Sequence, residues 1–397
     1  MQDSTDRSIT SRYKNLLKGR EAAGGSLESF ESTGSTEPDL SDPALNERLR
    51  DTKAELYDII RNHLGDRAEL YALADQIVAD GGEALRVLRG EDDDELAARG
   101  DVIDSLEVIV RTDGSRPSFM VRNGEVDLTT SPAGDWGSDI VVSMDLLRDA
   151  LDCIGRIDVP QSAAGFQGTG FLIHENLFIT NRHVLQTVAN LQADGSWKLK
   201  PNTAIDFGHE YRARQTVNRR PLRRVVFAGP EPIAPPIDHK KLDLALMELE
   251  PATPDTKPRM VLSIDGATDW PQPQLPVYIV GYPGSPGPGQ APPNLLEQLF
   301  KSTYGHKRLA PGLLMNAHSN VHTWTIAHDA TTLGGNSGSV LLIVGHEQIA
   351  AGLHYGGSWS DPRENWGHVL GRVMDQADSS GKTLREHLRD FDVQPVL

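Results

Sequence analysis

The chain has 397 residues with 39 Lys+Arg against 56 Asp+Glu, a net charge of −17; length predicts about two domains, and the acidic balance makes nucleic acid an unlikely main partner. Its apolar runs fall far short of a bilayer span and no apolar leader precedes a small-residue cleavage site, so no membrane association is expected and cytoplasmic residence is the default. Cys153, the single cysteine, excludes an intrachain disulfide and sits among apolar neighbours as a small core residue.

The charge is unevenly spread. Residues 1–150 hold 32 acidic and 17 basic side chains, whereas residues 151–397 hold 24 and 22, as if two different objects shared the chain. Residues 1–41, rich in Ser, Thr, Gly, Asp and Glu, read as a disordered acidic tail. Asp42-Pro43 then supplies a helix start, and Leu45, Leu49, Leu56, Ile59, Ile60 and Leu64 follow at near-helical spacing. A second periodic set, Leu70, Leu73, Ala74, Ile77 and Val78, is expected to stop at Gly81-Gly82, and a third, Leu85, Val87 and Leu88, at Gly90. Together they predict a helical accessory domain over residues 42–100. Residues 104–130 alternate like strands, with turn signals at Asp113-Gly114 and Asn123-Gly124, and the segment 101–138 is expected to be a linker or small β-hairpin. From residue 139 to 397 the text consists mainly of short strands (GTGFLI, LFITN, LDLALMELE, VYIVGYPG, NSGSVLLIVG, QIAAGLHYGG), predicting an antiparallel barrel or sandwich.

Three segments carry residue types suited to acyl transfer. In GTGFLIHENLFITNRHVL, His183 follows a strand on a short helical turn, where an imidazole can face a cleft. In HKKLDLALMELE, Asp243 precedes an alternating apolar strand, and its carboxylate could accept the Nδ1–H of His183 and stabilise an imidazolium. Asp206 and Asp238 are rivals for that role, but neither opens such a strand. In DATTLGGNSGSV, Ser337 lies between glycines in a tight backbone that could aim the amides of Gly335 and Ser337 at a carbonyl oxygen.

In that order, TNRHV, DLALME and GGNSGS resemble the trypsin-like, chymotrypsin-fold serine endopeptidases, in particular bacterial members without disulfides, over about residues 150–390. CIGRIDV before GTGF, GYPG at 281–284 and GLHYGG at 352–357 add to the resemblance. It implies a mainly β double-barrel protease domain beside the small α-helical one, with His183 and Asp243 on the first barrel and Ser337 on the second. It also implies that Thr332 and the strand Gly352–Gly357 wall a specificity pocket. Thr332 with His354 resembles the pair by which glutamyl endopeptidases hold a carboxylate, while Tyr355 could equally line an apolar pocket. Digestive members carry an aspartate before the nucleophile to receive a newly cut N-terminus. Here that residue is Asn336, so control is expected to come from elsewhere.

The expected activity is therefore a serine endopeptidase acting on protein or peptide substrates, without cofactor or metal. The alternative is a non-catalytic protease-like binding module working through its N-terminal domain. His318 and His322 are four apart, but no HExxH pattern follows and their surroundings alternate like a strand. Arg212, Arg214, Arg219, Arg220, Arg223 and Arg224 form a basic run on which the acidic helical domain could dock; otherwise residues 42–100 could recruit a regulatory protein.

Overall fold

The computed structural model describes residues 9–17, 38–61, 67–90, 115–131, 133–162, 164–256, 260–284, 304–316, 322–332, 336–357 and 364–396, with the single positions 95, 105, 106, 109 and 258. Three helices open the chain: α1 (Ile9–Leu17), α2 (Asp42–Ile59) and α3 (Ala68–Gly90). Helix α1 falls inside the span expected to be a disordered tail. Tyr13, Leu16 and Leu17, at i, i+3 and i+4, are buried against Leu45, Leu85, Leu88, Leu106 and Ile109. The polar average of residues 1–41 conceals this short amphipathic stretch, and the rest of the expected tail, apart from residues 38–41, lies outside the described residues.

Helix α3 also runs through Gly81-Gly82, where a stop was expected. Both glycines are buried, and a Cβ at Gly81 would stand 2.3 Å from Ile109 Cδ1, so the pair admits a close neighbour instead of ending the helix. The proposed third helix is the last part of α3.

The hairpin expected near Asn123-Gly124 is present as β1 (Phe119–Arg122) and β2 (Glu125–Asp127), with φ of 54° and 80° at the two turn residues. It is no linker, however. Strand β1 pairs with Leu309 and Arg308 and so extends the sheet of the second barrel. Residues 136–152, where strands were expected to begin, form two helices, α4 (Trp136–Val142) and α5 (Met144–Asp152). Trp136, Ile140, Leu147, Ala150 and Leu151 are their buried positions, a 3.6-residue repeat within an apolar run.

The first barrel consists of β3 (Ile154–Asp158), β4 (Phe166–His174), β5 (Leu177–Thr180), β8 (Ala204–Asp206), β9 (Arg220–Ala228) and β10 (Ala245–Leu249). It closes in the order β10-β5-β4-β3-β8-β9. Between β5 and β8 lie helix α6 (Arg182–Val188) and the short pair β6 (Ala189–Leu191) and β7 (Trp197–Leu199). After β11 (Ser263–Ile264) comes the second barrel: β12 (Pro276–Gly281), β13 (Arg308–Met315), β14 (Thr325–His328), β15 (Val340–Ile343), β16 (Ile349–Gly357) and β17 (Asn365–Val369). Their order is β12-β15-β16-β17-β14-β13, and β12 pairs back onto β13, giving two six-stranded antiparallel barrels as in the chymotrypsin fold. Helices α7 (Leu370–Val373) and α8 (Leu384–Arg389) follow, the latter fixed by a Thr383–Glu386 capping box. Residues 295–300, whose apolar spacing in the sequence reads as helical, lie outside the described residues. No described helix is long and apolar enough to cross a membrane.

The arginine run is spent within the first barrel and its neighbours. Arg214 pairs with Glu210 and Asp152, Arg223 and Arg224 share Glu248, and Arg220 donates to the carbonyls of Glu175 and Glu250. Arg219 donates to Asn202 O, and Arg212 lies over the Tyr211 ring. Arg212, Arg219, Arg223 and Arg224 nevertheless remain exposed, so the run is a surface that also has local partners.

The helical core depends on few side chains. Leu85→Ala is expected to destabilise it by about 2–5 kcal/mol. Far-UV circular dichroism during urea unfolding should show this as an earlier loss of helical signal.

Candidate active site between the barrels

Strand β5 is buried throughout and delivers Asn181 and His183 to its end, where α6 begins. Asn181 spends its side chain across the site, its Nδ2 donating to Asp243 O at 2.9 Å. Asp243 holds His183 twice: Oδ1 accepts the His183 backbone N–H at 2.9 Å and Oδ2 meets Nδ1 at 2.6 Å. This double contact fixes both ring and backbone, and leaves Nε2 as the free edge of a half-buried imidazole. Burial alone would lower the His183 pKa, but the charge and hydrogen bond of Asp243 outweigh it and raise it above the ordinary 6.5. Burial works on Asp243 in the opposite direction, and His183 again prevails, holding the carboxylate below its usual range. The rivals are occupied elsewhere. Asp206 Oδ1 accepts Gly208 N and Val217 N, while Asp238 Oδ1 accepts Lys240 N.

Ser337 is half-buried in a turn tied to both barrels. Its carbonyl accepts Thr169 N from β4 at 2.8 Å, while Gly338 N donates to His354 O on β16 at 3.1 Å. Gly338 has a φ of +87°, and a Cβ there would lie 2.0 Å from Thr169 O. Only glycine fits that position. No hydrogen bond joins Ser337 Oγ to His183 Nε2; such pairs commonly tighten only when substrate binds. Gly335 lies outside the described residues.

The expected specificity residues gather beside this turn. His354 and Thr332 are 4 and 6 % exposed, and His354 lies within electrostatic reach of His183. His354 Nδ1 is 3.1 Å from His328 Nε2, and Thr332 Oγ1 donates to Asn365 Oδ1. Tyr355 turns its hydroxyl to His239 Nδ1 at 2.7 Å and stacks its ring on His368, centroids 4.4 Å apart. His368 Nε2 in turn accepts Asp243 N at 3.1 Å, which requires an unprotonated Nε2. Sequence reasoning missed His328 and His368. Both lie on short strands, β14 and β17, where one buried histidine looks like any other alternating position.

Cys153 is buried, and desolvation pushes its thiol up to about 12. His322 stacks on Trp324, with centroids 3.5 Å apart, while His318 lies outside the described residues. Asp158, Asp206 and His209 present ligand atoms within 4.8 Å of one another. Arg156 pairs with Asp158, and His209 Nε2 lies 3.4 Å from the Asp158 carboxylate and 3.7 Å from that of Asp206.

Residues 168–349, which include His183, Asp243 and Ser337, match the family model described as a trypsin-like peptidase domain. The chain contains a trypsin-like peptidase domain. A curated relative, a probable serine protease of Lysobacter enzymogenes, is 29% identical over 273 residues, which cover 64% of this chain and 70% of the relative. Among solved structures, the peptidase part is similar to neuropsin, a serine protease expressed in mouse brain, at 13% identity and a TM-score of 0.39, covering 57% of this chain and 92% of neuropsin. It is also similar to Rv3671c of Mycobacterium tuberculosis H37Rv in an inactive form, at 16% identity and a TM-score of 0.37, covering 64% of this chain and 93% of that one.

The peptidase domain buries several neutral imidazoles. Desolvation takes His328 down to about 3, His368 to about 4 and His354 well below 6.5. The unfolded chain protonates these residues once the pH drops below 6.5 while the folded chain does not, so their contribution is complete above that pH and is lost as the pH falls towards the folded values. Each costs about 1.4 kcal/mol per pH unit in that window. Urea unfolding of a Ser337→Ala protein should show a lower midpoint at pH 5 than at pH 7, and His328→Asn should narrow the difference.

Proposed function

We propose that this protein is a serine endopeptidase working through His183, Asp243 and Ser337. The observation that carries the reading is the two-point grip of Asp243 on His183, beside a serine turn bonded to both barrels. Asp243 accepts the Nδ1 proton and leaves Nε2 unprotonated, so His183 can take the proton from Ser337 Oγ as the oxygen attacks a peptide carbonyl. The Gly335 and Ser337 amides receive the developing oxyanion. His183 then protonates the leaving amine, and water releases the acyl group by the same steps in reverse.

The rival reading is a non-catalytic module that keeps a protease-like shape. A fluorophosphonate probe separates the two: the endopeptidase labels on Ser337, and labelling disappears in Ser337→Ala. An unlabelled wild-type chain would favour the rival. Because the base acts unprotonated, kcat/KM should rise with pH through a His183 pKa above 6.5. Asp243→Asn should remove the charge that raises this pKa, shifting the limb to lower pH, and cut kcat by about ten-thousand-fold.

For substrate, the reading is a preference for an acidic side chain before the scissile bond. Support comes from the 3.1 Å contact of His354 Nδ1 with His328 Nε2: when His328 donates in it, His354 Nε2–H is left as a donor, as a carboxylate requires. A peptide library varied at that residue should show Glu and Asp favoured, and His354→Leu should abolish the bias. Indifference of the wild-type protein to Glu and Asp would remove the proposal. Control through residues 42–100, by an intramolecular contact or a regulatory protein, belongs to the same reading, and the exposed Arg212, Arg219, Arg223 and Arg224 are compatible with docking of the acidic helices.

A further inference from the structure

One buried ion pair reaches the serine turn from outside both barrels. Arg116 belongs to the stretch before β1, between the helical core and the hairpin, and is 2 % exposed. Its Nε and Nη2 donate to Asp329 Oδ1 and Oδ2 at 2.7 and 2.8 Å, a two-point contact between planar groups, and its Nη1 donates to Ser115 O at 2.7 Å. Asp329 is the first residue beyond β14 and begins the stretch 329–332 that leads towards Ser337. The same aspartate accepts Leu313 N at 2.8 Å.

The backbone of Arg116 holds this stretch as well: Thr331 Oγ1 donates to Arg116 O at 2.6 Å. From the other side, Asn365 at the start of β17 donates to Ala330 O at 3.0 Å and accepts from Thr332 Oγ1. Each of the four residues 329–332 is thus bonded to one of two clamps, Arg116 or Asn365. Asn365 belongs to the second barrel, whereas Arg116 arrives from the chain's N-terminal side. Ser115 provides the link back: its carbonyl takes Trp136 Nε1 at 3.0 Å, and its hydroxyl is 3.5 Å from Arg48 Nη1 of α2. Arg48 also donates to Leu17 O of α1 at 2.8 Å.

We infer that Arg116 is a positioning residue for the substrate-facing wall before Ser337, so that residues 115–118 work as a built-in brace of the active site and couple it to the N-terminal helices. A surface arginine could not do this, because water and salt would screen it. A buried pair with all three donor directions engaged sets one geometry. The inference rests on the reading of Ser337 as nucleophile, and it assigns the N-terminal side a supporting role instead of an inhibitory one.

The test uses the full chain with Arg116→Gln, Arg116→Lys and Asp329→Asn, each also made in a Ser337→Ala background that cannot digest itself. Hydrogen exchange in that background reads the brace directly. The expected result is lost protection in peptides spanning 329–332, with β4 and β5 unchanged as a control for folding. Cleavage of fluorescein-labelled casein should fall about 100-fold in kcat/KM for Arg116→Gln and Asp329→Asn, as for a displaced wall. Arg116→Lys, which keeps the charge but loses the fork, should lie between, and fluorophosphonate labelling of Ser337 should fall less than casein cleavage. Folded variants with unchanged exchange at 329–332, or with altered exchange but wild-type cleavage, overturn the inference. A wild-type chain that neither labels nor cleaves overturns the proposed chemistry, and with it the positioning role of Arg116 in that chemistry; the exchange data then show whether the brace itself exists.

Discussion

Thr169 is the pin on which the site depends. It is fully buried on β4, and each of its polar groups is committed to a different element. Its N–H goes to Ser337 O, its carbonyl accepts Thr180 Oγ1 from the strand that leads to His183, and its hydroxyl accepts Tyr282 N from just beyond β12. One residue of the first barrel therefore sets the distance between the imidazole-bearing strand and the serine turn of the second. Its neighbour must be small: a Cβ at Gly168 would lie 2.9 Å from Ser337 O and 2.8 Å from Val184 Cγ2. The GTG written at 168–170 is a packing requirement between barrels as much as a strand.

The second constraint is the shortage of water behind Asp243. A buried carboxylate is tolerated only when its oxygens and its backbone are satisfied, and here His183 takes both oxygens while His368 and Asn181 take the main chain. The price of that solution is a set of buried imidazoles that must stay neutral. Polar order of this kind joins the His183–Asp243 pair, through His368, to Tyr355 and the strand that carries His354.

Much of this was legible in the sequence because it is written locally. His183, Asp243 and Ser337 each sit at the end of a short apolar strand beside a turn, and strand alternation reveals such positions without knowledge of the tertiary structure. The same alternation gave an antiparallel barrel or sandwich, and the double barrel followed from the family resemblance. What escaped was decided at long range. Helix α1 disappeared into an average over a polar segment, and Gly81-Gly82 read as a stop because nothing local reveals that Ile109 lies against it. The hairpin was recognised but its owner was not, since its partner strand is β13. Arg116 and Asp329 are unremarkable in isolation; only the fold shows that they form a fork-to-carboxylate pair. The arginine run was legible as a surface, but not the partners Glu210, Asp152 and Glu248 that Arg214, Arg223 and Arg224 find on it.

The placement of β1 has a consequence for biosynthesis. Ser118 and Arg308 are 190 residues apart, and Arg116 and Asp329 are 213 apart, yet each pair is in contact. A ribosome therefore delivers the β1–β2 hairpin before it has made any of the first barrel, and the side of β1 that faces β13 must wait while a whole barrel is synthesised and closes. Contacts so far apart in sequence form slowly. The stretch before Ser337 is completed late, after the N-terminal helices and the first barrel have had time to fold, and a nascent chain holds Arg116 long before it holds Asp329 or Ser337.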